Sequence, residues 1–161
     1  MNFYIKFFYI SNQFIYKYLK MIYKGSMKKI LKNFKKQIYW FFYNLYNKKC
    51  KNKLGLKVKN IEKILDEYSA KSKSTGIKYS SLLACVELIQ KYKPLILLES
   101  GTGVSTIAIA ETLYQLKIND PQYKPILISM ESIDSWYKMA LNLLPERYKE
   151  FVEIRFGERE V

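Results

Sequence analysis

The chain has 161 residues, a formal net charge of +14 and 49% hydrophobic residues, with no histidine and only two cysteines. That length is enough for one domain with a core. The absence of histidine, with Cys50 and Cys85 alone, argues against a zinc site, a histidine-activated nucleophile and a disulfide scaffold, and fits a reducing compartment.

The charge is divided sharply along the chain. Residues 1–59 carry fifteen lysines and no acid, whereas residues 60–161 carry thirteen basic and fourteen acidic residues. The basic character therefore belongs to the N-terminal third, and a nucleic-acid reading does not extend to the rest. Residues 1–59 form one region, a basic, aromatic-rich helical extension ending in a linker. Residues 60–161 form the other.

Lys, Asn, Tyr, Phe and Ile dominate the first region, a composition that A/T-rich coding DNA favours. The start of translation is accordingly expected at Met1, Met21 or Met27. Residues 3–24 place Lys6, Lys17, Lys20 and Lys24 on one narrow helical face. Residues 28–46 show a sharper pattern. At 100° per residue Ile30, Leu31, Phe34, Ile38, Phe41, Phe42 and Leu45 share one face, and Lys28, Lys29, Lys32, Lys35 and Lys36 fall opposite with Tyr39, Tyr43 and Tyr46. This is a basic amphipathic helix, suited either to packing on protein or to lying on anionic lipid. Arginine is absent from it, which weakens a nucleic-acid reading. The apolar run Ile38–Tyr43 falls far short of the roughly 20 residues of a membrane span. Lysines break up the first thirty residues, against a secretory signal. A cytoplasmic protein is expected, with peripheral membrane contact through 28–46 as an option. Residues 47–59 read as a charged linker containing Gly55.

From residue 60 the pattern alternates. Asn60 can cap a helix with Ile61, Ile64, Leu65 and Tyr68 on one face. Residues 72–76 form a turn-rich loop. Ser81 can cap a second helix, with Leu82, Cys85, Val86 and Ile89 inward, stopped at Lys93–Pro94. Leu95–Glu99 reads as a strand apolar on both faces and therefore expected at the centre of a parallel sheet. A glycine turn follows at Gly101 and Gly103, then a helix over Val104–Lys117 and a loop over 119–125. Ile126–Met130 is a second strand ending at Glu131. Ser132 can cap a third helix, with Trp136, Met139, Ala140, Leu143 and Leu144 at helical spacing. Pro145 follows it, and Val152–Phe156 is a third strand closed by Gly157. The order predicts an α/β fold, a Rossmann-like parallel sheet with flanking helices.

The chemistry gathers at two strand ends. A strand, a glycine turn and a helix form a corner where backbone N–H groups can approach a ligand. Glu99 ends the first strand and Glu131 the second, and ligands of open α/β sheets bind at the carboxyl ends of strands. An acid after the second strand can accept both hydroxyls of a ribose.

Glu99-Ser100-Gly101-Thr102-Gly103-Val104-Ser105-Thr106 resembles motif I of class I S-adenosylmethionine-dependent methyltransferases, the E/D-x-G-x-G pattern. Met130-Glu131 resembles their second motif, and the helix over 81–92 resembles the one before their first strand. The resemblance spans about residues 60–160. It implies that Gly101 and Gly103 lie under the methionine part of S-adenosyl-L-methionine and that Glu99 acts near its amino group, often through water. It further implies that Glu131 binds the ribose hydroxyls and that Ile133 packs on adenine. Ser100, Thr102 and Ser105 belong to the same cofactor-binding stretch. A nicotinamide-dependent oxidoreductase is the competing reading. Its fingerprint needs a third Gly or Ala where Thr106 stands, and an acid about 20 residues on, whereas Glu131 lies 25 residues after Thr106. A third alternative is a non-catalytic fragment tethered at a membrane surface. The family's sheet has seven strands, so the resemblance implies the cofactor-binding half of a longer methyltransferase, truncated after its third strand. No catalytic residue or methyl acceptor is assigned.

Overall fold

The computed structural model describes residues 27–72 and 78–157. The expected lysine face of 3–24, the alternative starts at Met1 and Met21, and most of the loop at 72–76 lie outside these residues. The chain divides into two compact units, Met1–Asn44 and Leu45–Val161. A single helix, α1 (Met27–Lys57), runs from one into the other.

In the first unit α1 presents a largely exposed surface. Phe34, Trp40 and Phe41 stay 46%, 49% and 60% accessible. Tyr39 stacks on Tyr43 with ring centres 6.2 Å apart, and Trp40 meets Tyr43 edge-on at 5.5 Å.

The stretch expected to be a linker is instead the end of α1. Cys50, Leu54 and Val58 recur at i, i+4 and i+8 and are all buried in the core of the second unit. That apolar period outweighs the weak helix propensity of Gly55. Lys51 reinforces the turn with ion pairs to Glu62 and Asp66 at 3.6 and 3.7 Å. Asn60 does not take up an ordinary cap. It occupies the left-handed region at φ +61° and turns the chain into α2 (Ile61–Ser72). Helix α3 (Tyr79–Tyr92) begins ahead of Ser81, with Lys78 at its cap position and no side-chain cap bond. It ends at a left-handed Lys93 before Pro94. Leu82, Val86 and Ile89 are buried and Cys85 is half-buried, as their spacing predicts.

Three strands follow, β1 (Ile96–Ser100), β2 (Ile126–Glu131) and β3 (Val152–Phe156), with α4 (Val104–Asn119) and α5 (Asp134–Leu143) between them. They pair in parallel in the order β1-β2-β3. The fold is thus α/β with a parallel sheet and flanking helices. One sheet face, carrying Leu97, Glu99, Leu127, Ser129, Glu131, Val152 and Ile154, lies under the helices. The other face carries Ile96 and Leu98, 67% and 73% exposed, beside Ile126 and Met130. Strand β1 was expected at the centre and stands at an edge, because no strand among the described residues pairs with its outer side. At the opposite edge Glu153 and Arg155 form a two-bond ion pair at 2.7 and 2.9 Å on the same face. Charges of this kind blunt an edge strand, whereas the exposed face of β1 carries Ile96, Leu98 and Ser100 and no charge.

A 3₁₀ turn at Glu146–Tyr148 went unanticipated. It buries Tyr148 completely, and the Tyr148 hydroxyl donates a very short hydrogen bond to Glu111 on α4. Arg147 pairs with the same carboxylate at 3.0 Å, and Gln115 donates to it at 2.7 Å while bridging to the backbone of Lys59. Burial, and then the bond to Glu111, raise the Tyr148 phenol well above its ordinary pKa. This network fastens α4 to the start of α2 and to the 3₁₀ turn.

Candidate functional site

The inward sheet face turns polar at the carboxyl end of the strands. Glu99 and Ser129 are partners in register, and Glu131 follows two residues along β2. Above them the chain leaves β1, turns at Gly101 and enters α4. The Gly101 N–H donates to the Met130 carbonyl at 2.7 Å, which ties the turn to β2.

Glu99 is held by hydroxyls alone. Ser105 Oγ donates to its Oε1 at 2.5 Å, and Thr106 Oγ1 and Ser129 Oγ donate to its Oε2 at 2.7 and 2.9 Å. Thr106 Oγ1 also accepts the Gly103 N–H at 3.0 Å, closing the first turn of α4. Tyr68 on α2 and Cys85 on α3 also lie near this carboxylate. Burial first, and then the Glu99 charge, raise the pKa of both.

Glu131 is buried and receives four bonds. The Ser132 and Ile133 N–H groups donate to Oε1 at 2.9 and 3.0 Å, and the Thr102 N–H and Oγ1 donate to Oε2, each at 3.2 Å. Burial alone would raise its pKa, but the hydrogen bonds from Thr102, Ile133 and Ser132 outweigh it and hold the carboxyl below its ordinary value. The same bonds explain the start of α5. Ser132 was expected as the cap, but Ile133 stands at the cap position without a side-chain bond, and Glu131 satisfies the N–H groups of the approach.

The two glycines differ. Gly101 has φ +87°, a region costly for any residue with a Cβ. Gly103, at φ 167°, has extended backbone that other residues adopt. A Cβ built on either would meet nothing within 4 Å, so the space above the turn is open. Gly101→Ala is therefore expected to destabilise the unit by about 1–2 kcal/mol. Gly103→Ala should change stability by no more than about 0.5 kcal/mol, since the poorer cap offsets the entropy lost from the unfolded chain. Urea unfolding of the two variants checks this. Equal losses would contradict the assigned backbone roles.

The structure thus brings Glu99, Gly101, Thr102, Gly103, Ser105 and Glu131 to one end of the sheet, with Ser100 exposed beside them. Ile133 follows Glu131 and is 54% exposed. Reading the sequence missed two participants. Thr106 closes the motif I stretch and is the wrong residue for a dinucleotide fingerprint; neither reading gives it a contact, yet it joins Glu99 to the turn. Ser129 is fully buried, and its one visible signal was a hydroxyl inside the apolar run ILISM. A groove of about 1060 Å³ lies apart from this corner, lined by Ile64, Tyr114, Glu111 and Arg147 among others. Its one deeply buried charge, Glu111, is already satisfied by Tyr148, Arg147 and Gln115.

No candidate metal cluster of histidine, cysteine or acidic residues occurs among the described residues. No protein-family model matches the chain, and no curated protein matches it in sequence.

Proposed function

We propose that the glycine corner and Glu131 form the cofactor site of an S-adenosyl-L-methionine-dependent methyltransferase, with the methyl acceptor unassigned. One observation carries the reading. The open space above Gly101 and Gly103, where an added Cβ would meet nothing within 4 Å, lies beside Thr102, whose N–H and hydroxyl both donate to the Glu131 carboxylate. The bonds from Thr102 are longer than those from Ser132 and Ile133. The shorter pair fixes the carboxylate, and the longer pair occupies the oxygen that a ribose diol would take over. Thr102 thus stands in for the two hydroxyls of the nucleoside.

The remaining residues fit this role. A carboxylate offers about four acceptor positions, and Glu99 uses three of them internally. It keeps one for an ammonium group or an intervening water. Ile133 offers an exposed apolar side chain two residues beyond the ribose acceptor, where an adenine ring could rest. The bound cofactor would supply an electrophilic methyl group on a sulfonium. These residues bind and orient it, and none of them positions an acceptor. The nicotinamide reading fits less well. Thr106 fills the place that the dinucleotide fingerprint reserves for a small residue, and its hydroxyl is committed to Glu99 and Gly103.

Thermal unfolding tests the proposal. S-adenosylhomocysteine at about a hundred times its dissociation constant stabilises by about 2.7 kcal/mol. In a domain of this size that raises the midpoint by on the order of 10 °C. A comparable rise with NADH and none with S-adenosylhomocysteine would overturn the reading.

A further inference from the structure

The exposed face of α1 has a partner chemistry of its own, independent of the cofactor reading. We propose that residues 31–44 of α1 lie flat on an anionic lipid surface. Phe34, Ile38 and Phe41 share one face of the helix. Phe34 and Phe41 are largely exposed, and Trp40 flanks them at the border with the lysine arc. Lys32, Lys35 and Lys36 are exposed, and none forms an ion pair with a carboxylate among the described residues. Residues 1–59 contain no acid that could neutralise them.

Such a surface is costly in water, because three large aromatic side chains lie open along one helix. Charge decides what covers it. A second copy of the same helix could cover the aromatic face, but it would add only more lysines and no acid to balance them. Anionic lipid instead takes Phe34 and Phe41 into the boundary with the acyl chains, Trp40 and Tyr39 at headgroup level, and the lysines to the phosphates. No helix among the described residues is long and apolar enough to cross a membrane, so the geometry is one of lying on the surface. Each lysine near an anionic surface strengthens binding by roughly fivefold, and the attraction is screened by salt.

Trp40 provides the readout, since Trp136 is the only other tryptophan. In the full chain carrying Trp136→Phe, vesicles of mixed phosphatidylcholine and phosphatidylserine should shift Trp40 emission to the blue. Phosphatidylcholine vesicles should not, and added salt should reverse the shift. The exposed pair of changes Lys35→Gln and Lys36→Gln should weaken binding about thirtyfold without altering the circular dichroism. Unmoved emission with anionic vesicles would overturn the proposal. So would equal binding of the lysine variant, or a shift produced by single-stranded RNA and not by vesicles.

Discussion

Glu99→Ala is expected to destabilise the Leu45–Val161 unit by about 3 kcal/mol or more, read as a lower urea midpoint at unchanged slope. The carboxylate is the common acceptor for Ser105, Thr106 and Ser129. Thr106 and Ser129 are 2% and 0% exposed, so water does not replace the lost oxygen. A buried donor left unpaired costs about 1–3 kcal/mol. Ser129 has one alternative, the Gly101 carbonyl at 3.2 Å, which limits its share. The Thr106 hydroxyl has none among the described bonds, and it would keep only its role as acceptor of the Gly103 N–H. A typical domain is stable by only 5–15 kcal/mol, so the variant should be visibly fragile at room temperature. A change below about 0.5 kcal/mol would show that these hydroxyls do not depend on Glu99.

Much of the second unit was legible because its periods are clean. The run PLILLE with its glycine turn located β1 and the start of α4. The spacing of Leu82, Val86 and Ile89 placed the inward face of α3, and both acids were found at the strand ends. The misreadings have specific causes. Lysine-rich composition at 47–59 hid the Cys50, Leu54 and Val58 period, since charges at the other positions of a helix say nothing about its buried side. Residue type alone marks Ser132 as a cap, but the Glu131 carboxylate already satisfies the Ser132 and Ile133 N–H groups. Tyr148 and Phe151 fell between Pro145 and β3, in a stretch too short for any period to show. Ser129 and Thr106 carry ordinary hydroxyls, and only the register of β1 with β2 shows that both reach one carboxylate. The expectation of a central β1 followed from residues apolar on both faces. The strand stands at an edge, and Ile96 and Leu98 are exposed with Ile126 and Met130 of the central strand because that sheet face is left open among the described residues.

Glu131 couples stability and binding. Its folded pKa is lowered, so below the ordinary range of a glutamate the unfolded chain takes up a proton more readily than the folded one. Stability from this group is present at neutral pH and is lost as pH falls through the folded value. Glu131→Gln should therefore unfold with a flatter dependence on acid than the parent chain.

The claim that Glu131 receives a nucleoside diol is tested most directly by calorimetry with S-adenosylhomocysteine on the parent chain and on Glu131→Ala. Removing a charged acceptor of hydroxyl bonds costs about 1.5–3 kcal/mol, so the variant should bind roughly ten- to a hundredfold more weakly. Equal binding by the two proteins, or no heat from the parent chain while it remains folded, would contradict the account.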